Sequence, residues 1–220
     1  VEQACDGLAG VSASQVEIQS GLQLYDGITT QEIQDILIRS ASDLIDLDHP
    51  NYQFVAARLL LFALRKQLYG RMHENPLVKD HVAKCVEKGV YDSELMVLYT
   101  DEEFEKLQSF IDHDRDFLFT YAGLRQVVDK YLVQDRSTGN VYETPQFMYL
   151  LISATIFSKY PKETRLDYVK KYYDAISKHR INIPTPIMAG VRTPIRQFAS
   201  CVLVDIDDTL DSIFSSDMAI

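Results

Sequence analysis

Two apolar stripes of helical period, separated by one proline-bearing break, constrain what the first third of this chain can fold into. Ile33, Ile36, Leu37, Ser40 and Leu44 recur at i, i+3, i+4, i+7 and i+11, the spacing of one buried helix face. After Asp48-His-Pro50, a second stripe carries Tyr52, Val55, Ala56, Leu59, Leu60, Ala63 and Leu64. Thr29-Thr-Gln-Glu32 and Ser14-Gln-Val-Glu17 both fit the S/T-x-x-E box, in which two side chains satisfy free amides at a helix start. Gly70 is a natural stop, because glycine adopts the left-handed conformation of a helix C-terminus without strain. These features predict a small helical domain over residues 1–70.

Residues 71–76 read as a linker, followed by a helix that runs to Lys88 and ends at Gly89. Thr100-Asp-Glu-Glu103 is a further capping box and opens a helix to about Ile111, and Tyr121 to Asp129 is also helical. Tyr131-Leu-Val-Gln134 and Val141-Tyr-Glu143 flank the turn-rich Asp135-Arg-Ser-Thr-Gly-Asn140, which predicts a β-hairpin. Thr144-Pro145 marks a helix start, since proline in the first turn loses no hydrogen bond, and that helix reaches about Lys159. Another spans Lys162 to about Lys178. Ile183-Pro-Thr-Pro186 is expected to be extended, because each proline pushes its predecessor out of the α region. Phe198 to Val204 is a short apolar run that suits a fully buried strand.

The 220 residues suffice for one or two domains with real cores. With 22 Lys and Arg against 32 Asp and Glu, the net charge is −10, which repels phosphate backbones and argues against a nucleic-acid polymer as partner. A single nucleotide remains compatible, since a local pocket can be basic in an acidic chain. Cys5, Cys85 and Cys201 are far apart, with no paired spacing, which points to a reducing, cytoplasmic setting and away from disulfides or structural zinc. The longest apolar stretch, Phe147 to Phe157, is about half of the roughly 20 residues a membrane span requires. Neither end carries a targeting pattern, and both read as cuts.

The most informative stretch is Ile183-Pro-Thr-Pro-Ile-Met-Ala-Gly-Val-Arg-Thr-Pro-Ile-Arg-Gln-Phe-Ala-Ser-Cys-Val-Leu203, followed by Asp207-Asp-Thr-Leu-Asp-Ser-Ile213. It closely resembles the segment of the large subunit of ribonucleotide reductase that leads into the first strand of its catalytic barrel. Upstream, Tyr25-Asp-Gly-Ile-Thr-Thr30, Ala56-Ala-Arg58, Leu64-Arg-Lys66, Phe110-Ile-Asp-His-Asp-Arg-Asp116 and Tyr131-Leu-Val-Gln134 match the same family in order. The resemblance covers nearly the whole chain and is nearest to the class Ia form.

The resemblance implies a mainly α fragment: an ATP-cone regulatory domain over residues 1–70 and a helical domain with a hairpin over 71–195. Residues 196–220 would then begin a ten-stranded α/β barrel. It implies radical-based reduction of ribonucleoside diphosphates by the intact subunit. Cys201 falls on a redox-active thiol position, and Thr185 and Ser200 on substrate-binding positions. Asp208, Thr209 and Leu210 fall on the site where an effector nucleotide sets specificity. Thr30 and Lys66 fall on the cone positions that contact ATP or dATP. The implied partners are a second large subunit, a small subunit carrying a di-iron tyrosyl radical, and thioredoxin or glutaredoxin. No cofactor is expected on this chain itself. The cysteine that becomes the thiyl radical and the second redox cysteine would lie beyond Ile220, so the piece alone is expected to be inactive. The basic strand segment that usually opens the cone is also missing ahead of Val1.

Taken alone, the same residues have plainer readings. A cysteine in an apolar run is most often an inert packing residue, because burial raises its pKa. Asp208 or Thr209 could simply cap a helix, and Thr30 and Lys66 could be a capping neighbour and a solvated lysine. Cys201-Val-Leu-Val-Asp-Ile-Asp-Asp-Thr209 also fits the hhhDxDxT motif of haloacid-dehalogenase-type Mg²⁺-dependent phosphatases, with Asp205 as nucleophile and Asp207 as acid/base. That motif normally opens its domain, and only ten residues follow Leu210 here. Asp112-His-Asp-Arg-Asp116 reads as a charged turn with internal salt bridges rather than as metal ligands. A non-catalytic nucleotide-binding regulatory module is the remaining alternative.

Overall fold

Thr29 and Thr100 each cap a helix through the reciprocal box anticipated above, with Glu32 and Glu103 returning to the backbone of the cap residue. In a computed structural model, residues 1–219 are described; Ile220 lies outside the described residues. The elements in order are α1 (Glu2–Cys5), α2 (Ala13–Gly21), α3 (Thr30–Asp43), α4 (Tyr52–Tyr69), α5 (Val78–Glu87), α6 (Glu94–Leu98) and α7 (Asp101–Phe110). A 3₁₀ turn (His113–Leu118) precedes α8 (Tyr121–Gln126), which widens into a π turn (Val127–Tyr131). Strands β1 (Gln134–Asp135) and β2 (Asn140–Val141) follow, then α9 (Pro145–Phe157), α10 (Lys162–Ser177), α11 (Thr185–Gly190) and α12 (Leu210–Ala219).

Helices α3 and α4 pack against each other, and α1 and α2 close over them; on α3 the buried residues are Ile38, Ser40 and Ala41, whereas Ile33, Ile36, Leu37 and Leu44 of the expected stripe are only half-buried. Val55, Ala56, Leu59, Leu60 and Leu64 are buried, and α4 ends at Gly70 with φ +74°. On its other side α4 meets α8, so its buried residues extend almost all round. Helix α9 is the centre of the second half. Every residue from Pro145 to Ala154 is buried, as expected of a helix apolar on all faces. Helix α10 packs along it, and α11 and the 3₁₀ turn cover its remaining sides.

Four local expectations are corrected. The first box is not used: Ser12 caps α2 by accepting from the amide of Gln15 at 3.4 Å, and Ser14 lies inside the helix. The hairpin is shorter than anticipated. Only Gln134 pairs with Val141 and Asp135 with Asn140, because Tyr131 belongs to the π turn and Glu143 is buried for another purpose. Thr185 is not extended but is the first residue of α11, with Pro184 extended ahead of it and Pro186 in the first turn, where its missing amide costs no bond. Finally, Phe198 to Val204 forms no strand and is largely exposed, with Val202 79% and Leu203 98% accessible. A strand needs a neighbour for its amides and carbonyls, and the only sheet among the described residues is the two-stranded hairpin. The expected strand therefore finds no partner among the described residues.

The Asp112–Asp116 turn is half as expected. Arg115 Nε donates to Asp112 Oδ2 at 3.1 Å, an internal bridge, and Arg115 also reaches Asp174. Asp116, however, is buried: it accepts from Arg65 Nη2 at 3.1 Å and from Gln146 Nε2 at 2.9 Å. His113 is pressed against Phe147 at 5.2 Å, and His81 stacks on the same ring at 4.0 Å.

These buried groups set a pH dependence. Burial lowers both His81 and His113 to about 4, whereas unfolded histidines titrate near about 6.5. Between those values the unfolded chain holds more protons, so stability is present above the window and is lost as pH falls through it. Asp116 opposes this, because burial raises its pKa to about 6 and the folded chain then holds the extra proton. Two histidines outweigh one carboxyl. Lowering the pH from 7 to 5 is expected to cost about 2 kcal/mol, read as a lower urea midpoint. An unchanged midpoint in wild type, or an unchanged slope in His81→Phe, would contradict this account.

Candidate functional site

Helix α11 is held from beneath by a buried polar chain. Arg192, fully buried, pairs with fully buried Glu143 just ahead of α9, donating from Nε to Oε2 at 2.8 Å and from Nη2 to Oε1. Its remaining donors go to the carbonyls of Met188 at 2.5 Å and Tyr131 at 3.0 Å. Glu143 also accepts from the Val133 amide at 2.7 Å and from Tyr91 Oη at 2.5 Å, and His81 Nε2 lies 3.1 Å from that hydroxyl. Burial opposes the Arg192 charge, yet the Glu143 carboxylate beside it holds the guanidinium's pKa above its ordinary value. One carboxylate thus ties the hairpin, α5 and the end of α11 together. No sequence pattern marked Glu143 or Arg192, since their pairing spans 49 positions.

Thr185, the first residue of α11, is exposed, with Oγ1 3.4 Å from Tyr131 Oη, which accepts from Gln126 Nε2 at 3.3 Å. It lies at the edge of a cleft of about 710 Å³ whose walls include Phe119, Tyr131, Tyr149, His179 and Arg180. Ser200 and Cys201 do not line this cleft. They sit on the exposed segment after α11, with Ser200 Oγ 3.8 Å from Cys201 Sγ. The three residues expected around a substrate are therefore not gathered into one pocket. Cys201 is nonetheless the one exposed cysteine; Cys5 is half-buried, and Cys85 is buried with its thiol pushed up to about 12 by burial. The packing reading suits Cys85 and not Cys201.

Around the start of α12, Thr209 acts as a cap: its Oγ1 accepts from the Ser212 amide at 3.2 Å, while Ser212 Oγ accepts from the Asp207 amide at 2.8 Å. Asp208 and Leu210 are exposed beside it. The capped helix start is thus real, and it presents the Asp208 carboxylate to solvent. Asp205 and Asp207 lie on the same irregular segment, with no strand to aim them, so the geometry lends the phosphatase motif no support. Among the described residues, no group of three or more His, Cys, Asp or Glu is arranged to hold a metal ion.

Thr30 and Lys66 are both exposed, at the start of α3 and in the last turn of α4. A cleft of about 560 Å³ opens between α3, α4, α8 and the hairpin, lined by Gln31, Asp35, Arg39, Gln67 and Arg125 among others, but neither Thr30 nor Lys66 lines it. Among the described residues, no helix is long and apolar enough to cross a membrane.

Comparison with known proteins finds two matching family models. Residues 1–67 match the ATP cone domain, and residues 117–196 match the ribonucleotide reductase all-alpha domain. The chain is 54% identical over 220 residues to ribonucleoside-diphosphate reductase 1 subunit alpha of Escherichia coli, covering 100% of this chain and 29% of that one. It is 55% identical over 217 residues to the alpha subunit of Haemophilus influenzae, covering 99% and 29%, and 46% identical over 206 residues to that of Enterobacteria phage T4, covering 93% and 27%. The chain thus spans less than a third of the length of these relatives. An ATP cone leading into a reductase all-alpha domain, matched end to end at about half identity, places this chain in the alpha-subunit family of ribonucleoside-diphosphate reductase, as its amino-terminal region.

Proposed function

We propose that this chain is the regulatory and substrate-proximal part of a subunit that reduces ribonucleoside diphosphates to deoxyribonucleoside diphosphates. The observation that carries the reading is the free, exposed Cys201 thiol on the segment that follows the all-alpha domain. In the reaction a thiyl radical formed outside this chain removes the 3′ hydrogen of the ribose. Cys201 and a second cysteine then supply two protons and two electrons, the 2′ hydroxyl leaves as water, the two sulfurs end as a disulfide, and the 3′ hydrogen is returned to the ribose, which restores the thiyl radical. Thioredoxin or glutaredoxin restores the thiols. Thr185 and Ser200 would contribute hydroxyls to the bound substrate, and α11 gives Thr185 a rigid mount.

The same reading divides the chain into a cone over residues 1–70, a helical domain over 71–195 and the start of a ten-stranded barrel from 196. Thr30 and Lys66 would meet ATP or dATP on the cone, where Lys66 supplies charge and the start of α3 supplies free amides. Asp208, Thr209 and Leu210 would meet the specificity effector, Asp208 accepting a ribose hydroxyl. Two such subunits would pair and receive the radical from a small subunit holding a di-iron tyrosyl centre, all in the cytoplasm. The direct test is CDP reduction by a subunit of the relatives' full length that carries this chain, supplied with a small subunit and thioredoxin. Deoxycytidine diphosphate formation dependent on both is expected; its absence in an assembled, radical-loaded complex would sink the proposal.

A further inference from the structure

Residues 91–94 and 192–196 are far apart in sequence and interlock in space. Tyr91 Oη donates to Glu143, the carboxylate that holds Arg192. The Asp92 amide donates to the Arg192 carbonyl at 3.0 Å. The carboxylates of Asp92 and of Glu94, at the start of α6, both accept from Arg196 Nη2, the second at 3.2 Å. Asp92 is itself held in place, since its Oδ1 accepts from the Glu94 amide at 2.9 Å. Lys159 Nζ stands 3.9 Å from Glu94, so Glu94 is shared, whereas Asp92 pairs with Arg196 alone among the described residues.

Beyond this junction little else holds the chain. Thr193 Oγ1 donates to the Gly190 carbonyl at 2.8 Å and accepts from the Ile195 amide at 3.2 Å. From Arg196 to Ile206 no backbone amide donates a hydrogen bond among the described residues. The segment does double back over the end of α11, where a Cβ at Gly190 would stand 3.6 Å from the Phe198 ring. A guanidinium bound by two carboxylates and a ring laid on a glycine are two anchor points. Two points fix a direction, where one leaves the chain free to swing. Cys201 stands five residues past Arg196, within about 17 Å of it even at full extension.

A partly exposed ion pair contributes little to stability, so the consequence of this clamp is geometric. Misplacing a reacting group by about 1 Å can cost on the order of 10²-fold in rate. We infer that Arg196, clamped on Asp92 and Glu94, is a positioning residue that sets where the Cys201 thiol is presented. The inference rests on the redox role proposed for Cys201, and it assigns Arg196 no contact with substrate. Arginine suits the task, because its rigid planar guanidinium fixes the directions of its hydrogen bonds, whereas lysine is a rotatable point charge.

The test has two arms. In the 220-residue chain carrying Cys5→Ser, a nitroxide on Cys201 and a second on Lys171→Cys report the distance from this segment to α10 by double electron–electron resonance. Cys85, buried and with its thiol pushed up to about 12, stays unlabelled. A narrow distance distribution is expected, broadening in Arg196→Met, with Arg196→Lys between the two. Asp92→Asn keeps an oxygen for the Glu94 amide and loses the charge, so it should broaden the distribution as well, and adding Arg196→Met to it should change little more. In a subunit of the relatives' full length, Arg196→Met should lower kcat for CDP reduction by about tenfold or more with KM for CDP unchanged, and Arg196→Lys should restore part of the loss. An unchanged distribution in Arg196→Met overturns the inference whatever the chemistry, and a broadened one with unchanged kcat overturns it equally. An inactive parent subunit sinks the redox role, and with it the purpose assigned to Arg196, while a broadened distribution still establishes the clamp.

Discussion

Glu143→Gln is expected to destabilise the folded chain by about 3–5 kcal/mol, because it strands the Arg192 guanidinium in a fully buried position without its counter-charge. The amide could still accept from Arg192 and from the Val133 amide, but it carries no charge, and the Tyr91 hydroxyl would lose its strong acceptor. Arg192→Met should cost a similar amount, by leaving the carboxylate buried and the carbonyls of Met188 and Tyr131 unpartnered. Urea midpoints of the two single variants and the double variant would give the coupling directly. The double variant should recover a large part of the loss, since removing both charges is far cheaper than removing one. Additive single effects, or losses below about 1 kcal/mol, would mean that the pair is not what anchors α11.

Cys201→Ser, placed in a subunit of the relatives' full length, is expected to abolish thioredoxin-supported turnover, a fall on the order of 10³-fold or more, the scale seen when a reacting group is removed. Serine preserves the size of the side chain and a proton, but it cannot form a disulfide, so the two electrons have no source. The fold should survive, since Cys201 is exposed and packs against no core residue. Multiple turnover persisting in Cys201→Ser would falsify the redox role. The matching change Cys85→Ser serves as the contrast: Cys85 is buried in α5, near Tyr142 and His81, so its replacement should act on stability and not on the electron supply.

Much of the architecture was legible from residue order. Helix boundaries at Thr29, Gly70, Thr100 and Pro145 follow from capping and stop chemistry that acts within three or four residues. The stripe of α4 is equally local, being a period of one helix, whereas α3 buries a face shifted to Ile38 and Ala41. The failures were also local, where two rules competed. The box at Ser14 was expected to cap α2, yet Ser12 does so; Pro184 and Pro186 suggested an extended run, yet a helix starts between them. At Phe198–Val204 the apolar pattern fits a strand, but a strand is a property of its neighbours as well as of its own residues.

The site divides along the same line. Its chemical types were legible without coordinates: a lone thiol at Cys201, hydroxyls at Thr185 and Ser200, a carboxylate at Asp208, a cation at Lys66. Which of them are exposed, and which share a cleft, was not. The capping boxes and apolar periods are written in residues a few positions apart, where backbone geometry alone decides who meets whom, so the sequence by itself determined most of the longer helices and the family resemblance. Glu143 meets Arg192 across 49 positions, and Phe119 meets His179 across an even longer span. Such contacts form only after the helices have packed, when burial makes an unpaired charge costly. Only the tertiary structure decided them.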